Sequence, residues 1–235
     1  DAKAARILPA LFYKMFGDPA TNPKGWPLLA IGEMCEVVSG ATPRTDNPDY
    51  WGGDIKWATP KDLSGNEGFV ITDTERTITD AGYASCSTTI LPVGAILLSS
   101  RAPIGLSAIA GIQLCTNQGF KNLVVRDKLD PWYLLAWLRL RAGFLDSLGR
   151  GATFKEISKS IVESVHLPVP PIDKQLLFSK QMQEIQQFVL RRRLVGERIN
   201  LLFNNLLHRA FTGDLTAKWR EAHMKELLAE MEHQA

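Results

Sequence analysis

Cysteine is scarce in this chain of 235 residues: Cys35, Cys86 and Cys115 stand far apart, odd in number, with no Cys-x-x-Cys pair. That excludes a disulfide framework and a cysteine zinc site, and reduced thiols in a cytoplasm are the simplest reading. An excess of one charge is also lacking. The formal net charge is only +2, whereas a protein held to nucleic acid by charge alone carries a marked basic surplus. No apolar run is long enough to span a bilayer, and no stretch reads as a secretory signal. The histidines, His166, His208, His223 and His233, fall in no metal-ligating pattern. No G-x-S-x-G elbow, phosphate-binding glycine loop or H-E-x-x-H is present. The carboxylates are scattered. These absences favour a binding or scaffold protein over an enzyme.

What the chain has is 45% hydrophobic residues, enough for one or two domains with true cores. Residues 3–16, KAARILPALFYKMF, have the pattern of a helix end, stopped by Gly17 and the Asp18-Pro19 step. A turn-rich linker with Pro19, Pro23, Gly25 and Pro27 follows. From 28 to 130 the pattern is short strands broken by turns, with candidates at 31–38, 55–57, 69–71, 95–99 and 123–125. Asp130 before Pro131 marks a helix start, and Leu134, Leu138 and Leu145 share one face of a helix expected to end at Gly149. Residues 149–153 make a flexible basic turn, and 165–171, VHLPVPP, an extended proline hinge.

Residues 172–211 contain no proline, and as one helix would reach roughly 60 Å. Phe178, Met182, Ile185 and Val189 recur at alternating steps of four and three, and Ile199, Phe203 and Leu206 resume the rhythm after Arg192 and Gly196. Such a seam predicts packing along another long helix. The plainer reading is one long core helix. Arg191, Arg192 and Arg193 are compatible with a nucleic-acid patch, though such a run is more often a solvated face. A weak internal repeat relates residues 11–18, LFYKMFGD, to 206–214, LLHRAFTGD.

The segment 40–63, GATPRTDNPDYWGGDIKWATPKDL, has too many breakers for a helix, yet carries Tyr50, Trp51 and Trp57. Its Asn47-Pro48-Asp49-Tyr50 is close to the Asn-Pro-Pro-Tyr signature of amino-methyltransferases. The second proline is missing and no glycine-rich cofactor strand precedes it. Three further polar clusters follow: LSSRAPIG at 98–105, CTNQGFK at 115–121 and GRGATFK at 149–155. Each joins one basic residue to small hydroxyl or amide side chains and a glycine. Arginine reads guanine, Asn and Gln read adenine, and Ser or Thr reach phosphate. Each cluster alone is equally a strand cap or a turn.

Together these residues resemble the specificity subunits of type I restriction-modification systems. The resemblance covers nearly the whole chain. It runs from Gly25-Trp26-Pro27 through Ser39–Pro43, Asp49–Trp57, Thr59–Leu63, Ile78–Gly82, Leu91–Gly94, Ser99–Gly105 and Thr116–Phe120, to Leu167–Pro171 and Phe211–Leu215. It implies an α+β fold: a mainly β, loop-rich target recognition domain followed by a long coiled-coil-like helix. The expected segments are a helix stub at 1–18, the recognition domain at 19–165, the long conserved helix at 166–214 and a helical tail at 215–235.

The resemblance also implies a non-catalytic subunit that reads one half of a split double-stranded DNA target and docks methyltransferase subunits, with restriction subunits joining that core. No cofactor is expected on this chain; S-adenosylmethionine and ATP belong to the partners. By residue type the candidate DNA contacts are Arg44, Lys56, Lys61, Ser99, Arg101, Asn117, Gln118, Lys121, Arg150 and Lys155. Tyr50, Trp51 and Trp57 are expected to pack loops onto the β-core. A full subunit has two recognition domains and two long helices. Two explanations fit one of each: the second half of a longer subunit, which the repeat favours, or a half-size subunit that forms a homodimer through its long helix. The competing class is a protein-interaction adaptor with a β-rich head and a coiled stalk.

Overall fold

The structure, a computed structural model, describes residues 2–64, 68–151 and 155–234. In chain order the elements are α1 (Ala2–Phe16), β1 (Leu28–Ala30), α2 (Ile31–Met34), β2 (Cys35–Ser39), β3 (Trp51–Ala58), α3 (Pro60–Ser64), β4 (Val70–Ile71), β5 (Arg76–Ile78), α4 (Asp80–Ala84), β6 (Ile96–Leu98), β7 (Ser107–Ala110), β8 (Cys115–Thr116), β9 (Lys121–Val125), α5 (Pro131–Leu140), α6 (Ala142–Ser147), α7 (Lys159–Ser164), β10 (His166–Pro168), α8 (Ile172–Phe211), α9 (Ala217–Ala222) and α10 (Met224–Gln234). The chain forms two compact units, residues 1–186 and 187–235. Helix α8 has 40 residues, with the bounds its proline-free run predicts.

The first unit is built on a five-stranded sheet in the order β2-β9-β6-β7-β4 and a three-stranded sheet in the order β5-β3-β8. Strands β6, β7 and β8 are buried on both faces, so they lack the alternation that marks a half-exposed strand. Helix α5 is buried almost all round. Asp130 caps it by accepting from the Trp132 and Tyr133 amides at 2.8 and 3.1 Å. The Tyr133 hydroxyl donates to the Pro168 carbonyl at 2.6 Å. Helix α1 adds Phe12 and Phe16, which pack with Tyr133 and Phe178 at centroid separations of 4.9 to 5.9 Å.

Three sequence expectations are corrected here. Residues 31–34 are a short helix, not the start of a strand. The single helix expected to run to Gly149 is two, because Arg141 leaves helical geometry between α5 and α6. The segment 165–171 is extended as expected but is no free hinge: its residues 166–168 form β10, which pairs antiparallel with β1, Leu29 opposite Leu167.

In the second unit, α8 ends at a left-handed Gly213, φ 78°, whose carbonyl accepts from Arg220 at 2.8 Å. Trp219 stacks on His223 at 4.6 Å. No helix among the described residues is long and apolar enough to cross a membrane. Among them no group of His, Cys, Asp and Glu could hold a metal ion.

Candidate nucleic-acid interface

The sheet ends bring the polar clusters of the sequence to one place. Ser39, the last residue of β2, lies opposite Lys121, the first of β9. Ser99, just past β6, bridges to Phe120. The Ser100 amide donates to the Gly119 carbonyl at 2.7 Å, and the Ile157 amide to the Ser100 carbonyl at 2.9 Å. The Ala41 amide donates to the Thr116 carbonyl at 3.0 Å, and the Asn117 amide to the Ala58 carbonyl at 3.1 Å. The Thr42 hydroxyl hydrogen-bonds to the Gln118 side-chain oxygen. Segments at 39–42, 58–60, 99–105, 116–121, 149–151 and 155–157 are therefore neighbours, although distant in sequence. Residues 152–154 of the fourth cluster lie outside the described residues.

Glycine makes the approach possible at Gly40. A Cβ there would sit 2.1 Å from the Asn117 carbonyl oxygen and 2.3 Å from the Thr116 hydroxyl. Any larger residue forces these two loops apart.

The aromatics order the segment 40–63. Trp51 and Trp57 meet edge to face at 5.0 Å, and the Arg76 guanidinium lies 3.7 Å from the centre of the Trp51 ring. The Trp57 indole N–H donates to the Ala41 carbonyl at 3.0 Å, and that of Trp51 to the Arg44 carbonyl at 3.2 Å. Asp62 accepts from the Thr59 amide and hydroxyl and from the Glu75 amide, at 2.7 to 2.8 Å. In the Asn47–Tyr50 turn, Asn47 caps by accepting from the Asp49 amide. The Asp49 carbonyl accepts from the Thr79 hydroxyl at 2.7 Å and the Tyr50 carbonyl from the Thr79 amide at 3.1 Å. Its near-match to a base-holding signature thus has a structural job: it carries helix α4.

The candidate contacts divide into distinct environments. Arg101, Asn117, Gln118 and Lys121 lie in the convergent cluster, with the Arg150 backbone joined to Glu156 by two hydrogen bonds of 2.9 and 3.0 Å. Arg44, Lys56 and Lys61 lie outside it, paired with Asp46, Asp73 and Glu75 at 2.8, 2.6 and 2.7 Å. Lys155 pairs with Asp146 at 2.6 Å. Ser99 is a correction: it is fully buried, its hydroxyl donating to the Pro103 carbonyl and accepting from the Leu106 amide. It holds the loop and cannot reach a ligand. Lys121 is likewise buried, pointing inward to Glu156 at 3.1 Å and Ser100 at 3.5 Å. Asn117 uses its side-chain oxygen on the Gly119 amide at 2.9 Å, while Gln118 sits beyond it on the same turn.

Glu156, which residue typing passed over, joins the cluster electrostatically. Burial pushes its carboxyl up, but hydrogen bonds from Arg101 and Lys121 outweigh this and hold it below the usual glutamate range. Cys35 and Cys115 are neutral thiols, pushed by burial to about 12 and about 11.

The helix seam divides as well. Phe178 and Met182 are fully buried in the first unit's core, and Ile185 packs against it. As contacts for a separate helix Phe178 and Met182 are corrected: Phe178 meets Phe12 and Phe16 of α1 at 5.9 and 5.4 Å, and Met182 lies in the same buried core. Val189 is half-buried. In the second unit Ile199, Phe203 and Leu206 are 59%, 60% and 50% exposed. Arg191 and Arg192 lie on exposed positions, and the Arg193 side chain is outside the described residues.

A family model described as the type I restriction modification DNA specificity domain matches residues 23–191. The specificity subunit of type I restriction enzyme MjaIX from Methanocaldococcus jannaschii is 42% identical over 155 residues, covering 65% of this chain and 36% of that protein. The HindI specificity subunit of Haemophilus influenzae is 23% identical over 197 residues, covering 82% and 42%. The crystal structure of the HsdS subunit from Thermoanaerobacter tengcongensis aligns with a TM-score of 0.59 at 22% identity, over 83% of this chain and 46% of that one. A structure from work on complex assembly of the type I R-M system aligns with a TM-score of 0.59 at 22% identity, over 87% and 51%. These two likenesses carry the fold. The chain spans about half or less of the length of the proteins it matches.

Proposed function

Because the chain belongs to the type I restriction-modification DNA specificity family, we propose that it reads one half of a split duplex target and directs methyltransferase subunits to it. The reader is the loop end of the two sheets, and the second half of α8 is the helix seam. The observation that carries this reading is the convergence of the polar clusters. The Ser100–Gly119, Ala41–Thr116 and Ile157–Ser100 backbone bonds hold them against one another, which supports reading Arg101, Asn117 and Gln118, on adjoining loops, as parts of one surface. A recognition surface needs side chains fixed to a rigid frame, and sheet ends supply it.

The chain is read as non-catalytic. Methyl transfer and cleavage belong to methyltransferase and restriction subunits bound beside it. The exposed Ile199, Phe203 and Leu206 need an apolar partner. A second long helix supplies one, from another copy of this chain or from the other half of a longer subunit.

The test is a methylome. The chain is expressed with its cognate methyltransferase subunit in a methylation-free host, and methylated adenines are mapped genome-wide. A split palindromic motif establishes a half-subunit that pairs with itself. Absence of methylation from a folded chain that still binds the methyltransferase identifies a part needing its other half. A folded chain that does neither removes the reading in favour of an adaptor.

A further inference from the structure

The recognition reading leaves one group without a role: the Glu156 carboxylate, which sits between two cations of very different exposure. Its Oε1 lies 3.1 Å from Lys121 Nζ and its Oε2 lies 2.9 Å from Arg101 Nε. The side-chain exposures run 10% for Lys121, 31% for Glu156 and 48% for Arg101. Lys121 is anchored at the start of β9, opposite Ser39, and also reaches the Ser100 hydroxyl. The Glu156 backbone is gripped on two sides, by Arg150 through paired hydrogen bonds of 2.9 and 3.0 Å and by a bridge to Arg101. The carboxylate is thus fixed by sheet and bridge geometry, and it takes hold of Arg101 at one particular nitrogen.

We propose that Glu156 is a positioning residue that aims Arg101 at a guanine of the target. This rests on the recognition reading above. An arginine presents a planar fork of donors, and with Nε engaged its two terminal nitrogens remain for an end-on approach. Neither has a partner among the described residues. Two parallel donors match the O6 and N7 acceptors that guanine shows in the major groove. The neighbouring carboxylate decides between base and backbone. It repels the full charge of a phosphate brought against the same arginine far more than the partial charges on the uncharged edge of a base. Lys121, too buried to touch DNA, keeps Glu156 charged and in place.

The experiment uses the chain with its methyltransferase subunits and a randomised duplex library, sequencing the methylated molecules. Wild type is expected to demand guanine at one position of the half-site. Arg101→Ala and Glu156→Gln are each expected to lower discrimination at that position about tenfold or more, with the other positions unchanged. Arg101→Lys, which keeps charge but not the fork, is expected to fail in the same way. Glu156→Asp keeps the charge but draws the carboxylate back by one methylene, so that it no longer spans Lys121 and Arg101 together. It must flatten the same position, which keeps the test open if the glutamine variant fails to fold.

The proposal is overturned if the Glu156 variants leave every position intact, or weaken all positions equally as a merely structural ion pair would. It is also overturned if Arg101→Ala relaxes a position that wild type does not fill with guanine. A wild-type complex that methylates with no sequence preference defeats the recognition reading itself, and this proposal falls with it. A sharp wild-type motif unchanged in the variants defeats only this one.

Discussion

The indole N–H of Trp57 reaches the Ala41 carbonyl at 3.0 Å, tying the end of β3 to the loop that leaves β2. Trp57 is nearly fully buried and its ring is braced by Trp51. Replacing it with Phe keeps much of the apolar bulk but strands the carbonyl of a partly buried loop. Trp57→Phe is expected to destabilise the chain by about 1–3 kcal/mol. Urea unfolding followed by circular dichroism checks the figure. A change within error of zero would mean that water or another donor satisfies Ala41.

Gly40 makes a sharper case. The Asn117 carbonyl oxygen, 2.1 Å from where a Cβ would stand, belongs to backbone and cannot rotate away. Gly40→Ala is expected to cost about 1–3 kcal/mol or more, as overpacking does. It should also separate the 39–42 loop from the 116–121 turn. Target methylation is therefore expected to fall further than stability alone accounts for. Assay at a temperature where the variant is still folded, judged by its melting curve, isolates that part.

Acid pH reads the Glu156 cluster. Its carboxyl titrates below the usual glutamate range in the folded chain despite the opposing pull of burial. The unfolded chain therefore takes up its proton first as pH falls. The stabilisation is present above the ordinary glutamate pKa and is lost as pH drops through the lower folded value. Asp130 acts with the opposite sign: burial raises its carboxyl above the ordinary range, so it favours the folded chain below the ordinary aspartate pKa and loses that advantage as pH rises. Glu156→Gln is expected to flatten the fall in melting temperature between neutral pH and about pH 3. An identical slope in both proteins would show that the ion pairs contribute nothing to folding.

The long helix and the β-rich, loop-rich character of the first unit were legible in the sequence, because a proline-free heptad-like run and densely spaced turn residues are local signals. Strand β6 falls within the expected run 95–99, but β7 was not anticipated, since both its faces are buried and no alternation remains. The polar clusters were legible as clusters. Their meeting was not, because it depends on the order β2-β9-β6, set by contacts far apart in the chain. Ser99 looked like a ligand contact by residue type, whereas its hydroxyl closes its own loop. Glu156 was missed because a search for DNA contacts looks for donors, and its work is to hold one. Gln175 left no signal either. Its buried amide accepts from the Asp130 amide at 2.9 Å and donates to the Pro170 carbonyl at 2.8 Å, joining α8 to the start of α5.

The chain by itself is expected to bind duplex DNA weakly. Acidic and basic residues nearly cancel between 30 and 155, and Arg44, Lys56, Lys61 and Lys155 each face a carboxylate. Phosphate contacts dominate affinity and make it salt-dependent. With few cations uncommitted, the plot of log affinity against log salt should be shallow. It should steepen when methyltransferase subunits bring their own contacts. Fluorescence anisotropy with labelled duplex across a salt series measures both slopes. Tight, sequence-specific binding by the isolated chain at physiological salt would refute the expectation.

The seam on the second half of α8 makes the last prediction. Phe203, 60% exposed, shares its row with Ile199 and Leu206, one turn away on either side. A large apolar side chain left in water gains on the order of 1.5–3 kcal/mol when fully covered, so a row of three is a strong drive towards a partner helix. Phe203→Glu removes that drive and places a charge in the seam. Because Phe203 lies outside the first unit's core, the variant is expected to fold with an unchanged melting temperature for residues 1–186 while losing its partner. Sedimentation at several concentrations, alone and with the methyltransferase subunit, reads the change. Wild type should associate and the variant should remain smaller. If both sediment alike and both still direct methylation, the seam has no partner and the apolar row is surface.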